Sequence, residues 1–166
     1  MHRTLFNLVA FQLGWFACVL GGSLTGGLVA GVIIVAHLVW LAQPGEWRWL
    51  VGFALLGLAI DGSLALAGGF IFAEPAWLPL PLWLWVLWPL FATLLKHSLA
   101  WLWNHRWLAV LGGAISGPLS YFGGAQLSNV ELAPWLLPVE ALVWALLCWW
   151  LSQRLGGTEA GPAENG

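Results

Sequence analysis

The chain is predicted to fold as an all-α, polytopic membrane protein, a single bundle of six transmembrane helices. Three observations lead there. Hydrophobic residues make up 61% of the 166 and charged residues only 7%, against about 25% charged in an ordinary soluble domain. Six stretches have the roughly 20 apolar residues that a membrane crossing needs. The arginines Arg3, Arg48, Arg106 and Arg154 fall, span by span, on one side of the bundle.

A soluble fold of this length could not hide so much apolar surface, because much of a small domain's surface stays in water. The predicted spans are 4–21, 24–42, 47–72, 82–103, 107–126 and 132–152. The first two are joined by a tight turn at Gly21-Gly22-Ser23. Pro89 falls within the fourth, Pro138 in the first part of the sixth, and Gly117-Pro118 in the fifth, where a kink or break is expected. Residues 1–155 form the membrane domain. The tail 156–166 is rich in Gly, Ala and acid, lacks apolar anchors, and is expected to be disordered on the cytoplasmic side. The first segment opens with a short basic start, but Asn7 and Gln12 interrupt it and no small-residue cleavage site follows, so it is read as a permanent helix.

Orientation follows from charge. Glu74 and Glu131 occupy the loops opposite the arginines, and those loops hold no Lys or Arg. The positive-inside rule then places both termini in the cytoplasm, which in a bacterium means a multi-pass protein of the inner membrane. Fifteen tryptophans agree with this reading. Trp40, Trp47, Trp49, Trp77, Trp83, Trp101, Trp103, Trp107, Trp135, Trp149 and Trp150 sit near span ends, where an apolar ring with a wet N–H belongs. Trp15, Trp85, Trp88 and Trp144 lie deeper and are read as core.

Several classes are excluded. A net charge of −2 without any basic run gives no nucleic-acid partner. The two cysteines, Cys18 and Cys148, lie in apolar runs and form no disulfide framework. His37, His97 and His105 lack metal-ligand spacing, and no nucleotide-binding glycine motif, nucleophile elbow or zinc signature is present. No metal and no cofactor is expected, and the chain is not read first as an enzyme.

What remains is a set of polar residues at membrane depth, where ionisable groups are expensive and usually face the bundle interior. Asp61, Lys96 and Glu140 are counted to similar depths near the midplane, so they are expected to meet, with Lys96 pairing with at least one acid. Gly57, Asp61 and Ala65 share a small-residue face, Thr93, Lys96 and His97 share another, and Gly113, Ser116, Gly117 and Ser120 a third, with Tyr121 at its margin. The candidate binding site is therefore Asp61, Thr93, Lys96, His97, Ser116, Ser120, Tyr121 and Glu140. With all three charged groups ionised the cluster carries −1, which low dielectric resists. A protonated carboxyl, a protonated His97 or His37, or a bound cation would each relieve it. The plain structural alternative is a buried Lys–acid pair that fixes helix register.

The motifs Asn7…Phe11-Gln12-Leu13-Gly14-Trp15, Leu58-Ala59-Ile60-Asp61-Gly62-Ser63, Phe91-Ala92-Thr93-Leu94-Leu95-Lys96-His97-Ser98-Leu99 and Gly117-Pro118-Leu119-Ser120-Tyr121 resemble an uncharacterised family of small multi-pass bacterial inner-membrane proteins, known as a domain of unknown function. The resemblance covers most of the chain up to the tail. The family pattern has asparagine where this chain has Lys96. The resemblance implies no activity. The occurrence of its members beside fatty-acid-modifying enzymes points towards lipid metabolism.

Three readings of function follow. The first is a transporter or binding protein for a small or lipid-like molecule, held at the midplane polar site. The second is a non-catalytic accessory subunit that holds a lipid-modifying enzyme at the membrane, which would make another membrane protein its partner. The third is an intramembrane enzyme with Asp61, His97 or Glu140 as acid–base groups.

Overall fold

The computed structural model describes residues 2–72 and 79–157. The expected interfacial loop around Glu74 and Trp77, and most of the tail 156–166, lie outside the described residues. Among the described residues the architecture is all-α apart from one pair of two-residue strands. Its elements are α1 (His2–Trp40), α2 (Trp47–Leu66), β1 (Phe70–Ile71), α3 (Leu82–Ala92), α4 (Arg106–Ser128), β2 (Glu131–Leu132) and α5 (Leu136–Leu155). Among the described residues α1, α2, α4 and α5 are long and apolar enough to cross a membrane, and α3 is a shorter apolar helix.

The helix α1 is two helices that fold back on each other. Gly22 has φ 66 and ψ −163, a conformation open to glycine because it lacks a Cβ. Beyond that break Gly26 lies directly on the Cys18 backbone, and Gly14 faces Ile33 and Leu90. In one straight helix, residues eight apart would be about 12 Å apart. The glycine-rich turn expected between the first two spans is thus present.

Later boundaries differ from expectation. The third span was expected to reach residue 72, but α2 ends at Leu66. Gly68 turns the chain with φ 78, and Phe70 and Ile71 then pair antiparallel with Leu132 and Glu131. The helix expected from residue 132, α5, accordingly starts at Leu136. Pro138 sits in its first turn, where the missing N–H would have had no helical partner. Pro118 does not break α4, which is continuous from Arg106 to Ser128.

The break falls instead in the segment expected to form the fourth span. The helix α3 stops at Ala92, three residues after Pro89 removes the hydrogen bond to the Trp85 carbonyl. Tight turns follow, with Thr93, Leu94 and Leu95 N–H donating to Leu90, Phe91 and Ala92 carbonyls, before a 3-10 turn over Ala100–Asn104. Asn7 of α1 holds this segment. Its side-chain amide donates to the Thr93 carbonyl at 3.1 Å, and its oxygen accepts from the Ser98 N–H at 3.3 Å and from the Ser98 hydroxyl. Trp103, expected at an interface, is buried and donates to the Leu95 carbonyl at 2.6 Å.

The four arginines gather at one end. There the Ser98 hydroxyl reaches the Thr4 carbonyl, His97 reaches Glu46, and the Gly157 N–H reaches Asn104 Oδ1 at 3.0 Å. The β1–β2 pair closes the opposite end. Between them the core is built on tryptophan. The Trp88 and Trp144 rings stack at 5.5 Å, Trp88 lies against Gly57, and Trp144 lies against Gly117. Gly57 of α2 and Gly117 of α4 therefore receive indole rings, whereas at Gly26 and Gly113 a neighbouring backbone approaches. The outer surface of the helices is apolar: Leu24, Val32, Leu55, Leu66, Leu111 and Leu119 are all exposed.

Candidate functional site

The predicted site residues divide between two places. Towards the strand-paired end, Asp61 and Glu140 are fully buried. Asp61 lies roughly 21 Å along α2 from Trp47, and Glu140 lies in the second turn of α5. Trp88 Nε1 donates to Asp61 at 2.8 Å, and the Tyr121 hydroxyl donates into the same carboxylate, 2.9 and 2.8 Å from its two oxygens. Glu140 lies near the same carboxylate, and among the described residues neither Glu140 oxygen has a hydrogen-bond partner. The Trp144 N–H approaches Glu140 and Tyr121 but completes a hydrogen bond with neither. The fold thus brings Asp61, Tyr121 and Glu140 to one place.

Lys96 does not join them. Among the described residues it has no ion pair; the salt bridges there are made by His37 and His97. The shared face expected for Thr93, Lys96 and His97 assumed a helix through residue 103, and the chain unwinds after Ala92. Thr93 is buried, its hydroxyl donating to the Leu90 carbonyl at 2.7 Å. His97 is carried to the arginine end.

There a second constellation forms that the spacing of residues did not reveal. Glu46, at the junction of α1 and α2, is only 1% exposed. Its Oε2 accepts from the Gln43 N–H at 2.7 Å. His97 Nε2 lies 3.0 and 3.2 Å from its two oxygens. His37, in the last turn of α1, places Nε2 3.6 Å from Oε1, too long for a hydrogen bond. The two imidazoles meet edge to face, with centroids 4.9 Å apart. Burial pushes the Glu46 carboxyl up, but His37, His97 and the Gln43 N–H outweigh it and hold it well below the usual carboxylate range. His37, Glu46 and His97 are the described residues that could hold a metal ion, with ligand atoms all within 4.8 Å of one another. In the sequence Glu46 looks like an ordinary loop acid beside Arg48, and nothing local ties it to positions 37 and 97.

A cavity of about 710 Å³ opens between the first half of α1, α3, α4 and α5. Its walls are mainly aromatic and aliphatic, with Trp15, Trp83, Trp88, Phe91 and Trp144 prominent, and Gln12, Ser116, Ser120 and Tyr121 provide its polar points. The Ser120 hydroxyl accepts from Trp15 Nε1 at 3.0 Å, which ties α1 to α4 across the cavity. Ser116 and Ser120 are exposed. Tyr121 and Trp88 both line the cavity and bond Asp61 behind it, so the buried carboxylate touches the cavity through its two donors.

Residues 4–150 match the model of a family described as protein of unknown function (DUF2878), and the chain belongs to that family. No curated protein and no solved structure matches it.

Proposed function

We propose that this protein is a multi-pass protein of the bacterial inner membrane that binds or transports a small, lipid-like molecule in the cavity beside Asp61, Tyr121 and Glu140. Six segments cross: the two halves of α1, then α2, α3 with its unwound continuation, α4 and α5. Both termini face the cytoplasm. The support for the membrane is the apolar outer surface of helices long enough to span it. Soluble proteins rarely expose apolar surface of that extent. The support for orientation is the gathering of four arginines at one end.

The observation that carries the ligand reading is the cavity itself. Its volume falls in the range of small-molecule sites, which are mostly apolar with a few placed polar groups. Aromatic walls suit an acyl or other hydrophobic body. Tyr121, Ser116, Ser120 and Gln12 offer hydroxyl and amide groups to a polar head. Tyr121 couples any such contact to the Asp61–Glu140 pair.

The test fills the cavity. Gly112 lines it, and a Cβ there would meet no other atom within 4 Å. Gly112→Phe should therefore fold normally and occupy the ligand's space. Native mass spectrometry of the purified protein, and uptake or binding of labelled lipids in proteoliposomes, should show a bound species in the wild type that the variant loses. Retention of the same species at the same occupancy by a stably folded Gly112→Phe protein would defeat the reading.

A further inference from the structure

We propose that His37, Glu46 and His97 form a binding site for one divalent transition-metal ion of the Zn²⁺ class at the arginine end of the bundle. The site goes beyond the cavity reading and involves none of the residues that line that cavity.

The donor set is two imidazoles and one carboxylate, the mixture that suits Zn²⁺ and its first-row neighbours. Ligand atoms that share one such ion at about 2.0–2.2 Å must lie roughly 3 to 3.5 Å apart. His97 Nε2 and His37 Nε2 lie 3.0 and 3.6 Å from the same Glu46 oxygen, Oε1. The three donors come from three separate places, the end of α1, the start of α2 and the unwound segment after α3, and the fold brings them to one point.

His37 supplies an independent observation. Its side chain is 2% exposed, and among the described residues both of its ring nitrogens are buried without a hydrogen-bond partner. A buried polar group without a partner is costly. Its Nε2 points at the carboxylate but stops short of bonding it, leaving the space an ion would fill.

The surroundings orient the ligands. Gln43 N–H holds Glu46 Oε2, so Oε1 is turned towards the two imidazoles. Such outer contacts fix the geometry of metal ligands. Asn7 grips Thr93 and Ser98 on either side of His97 in sequence and so fixes the segment that presents it. His37 and His97 would bind the ion through Nε2 as neutral imidazoles that keep their one ring proton on Nδ1, and Glu46 would bind it through Oε1 as a carboxylate. Three protein ligands leave a coordination position for water or an anionic oxygen.

The experiment uses the full chain purified in detergent without a polyhistidine tag. Metal content is measured by elemental mass spectrometry, and the chelator-treated protein is titrated with Zn²⁺ and with Co²⁺. The expected result is close to one ion per chain, a visible Co²⁺ spectrum of nitrogen and oxygen ligation, and a rise in melting temperature on adding Zn²⁺. His37→Gln, His97→Gln and Glu46→Gln should each weaken binding by at least about tenfold, while His105→Gln leaves it unchanged. The wild-type spectrum and stoichiometry do not depend on the variants' folding. Substoichiometric metal with no Co²⁺ spectrum in the wild type, or equal loss in His105→Gln, would overturn the site. Cavity occupancy, read separately with Gly112→Phe, is expected to survive metal removal, so the failure of either proposal is seen without the other.

Discussion

The Tyr121 hydroxyl donates into the Asp61 carboxylate across 60 residues of sequence, and with it α4 is bonded to α2. Trp88 donates to the same carboxylate from α3, so one acid joins three helices. Tyr121→Phe keeps the ring and removes the donor. It should destabilise the protein by about 1–3 kcal/mol, since a buried acceptor loses a partner. In a double-mutant cycle with Asp61→Asn, unfolding in detergent should show a coupling of at least about 0.5 kcal/mol. Additive single mutants would mean the bond contributes nothing.

Gly57 lets the Trp88 indole lie on the α2 backbone, and any Cβ there runs into that ring. Gly57→Ala should push Trp88 off the Asp61 carboxylate and lower stability by about 1–3 kcal/mol, as overpacking does. Pairing it with Trp88→Leu should recover part of the loss. Thermal melts of the four proteins decide the matter. No recovery in the double variant would show that the strain lies elsewhere.

Asn7 sets the break after α3. Asn7→Leu leaves the Thr93 carbonyl and the Ser98 N–H without their side-chain partner, and should lower stability by about 1–3 kcal/mol. Hydrogen exchange should rise in residues 93–99 before it rises in α4 or α5. Uniform exchange along the chain would argue against a local role.

Glu46 gives the metal-free protein an acid-sensitive element. Its folded pKa is depressed, so its contribution is complete above the unfolded value near 4.5 and is lost as pH falls below it. Melting temperature of the chelator-treated wild type should drop between neutral pH and pH 3 more steeply than that of Glu46→Gln. Parallel curves for the two proteins would remove Glu46 from the account.

Topology is checked with a reporter active only in the periplasm. It should be silent when fused after Arg154 and active when inserted near Glu74 or Glu131. Periplasmic activity from the fusion after Arg154 contradicts six crossings with both ends inside.

Much of this was legible in sequence because it depends on composition and local pattern. The apolar stretches, the turn at Gly22 and the arginines at one set of helix ends all follow from which residues stand near which. Asp61 and Glu140 were legible as buried carboxyls because each interrupts an apolar run. The tertiary structure decided what local pattern cannot. The fourth span reads as one apolar helix, but Pro89 weakens it and Asn7, 86 residues from Thr93, supplies bonds that make the non-helical form satisfactory. Once that segment unwinds, faces counted at helical spacing no longer apply. Thr93 and His97 then serve different neighbours, and among the described residues Lys96 pairs with no acid. His37, Glu46 and His97 share no period or motif, and only the folding of three segments to one end brings them together. Periodicity reports which side of a helix is apolar; it carries no information about a side chain that ends the helix from outside.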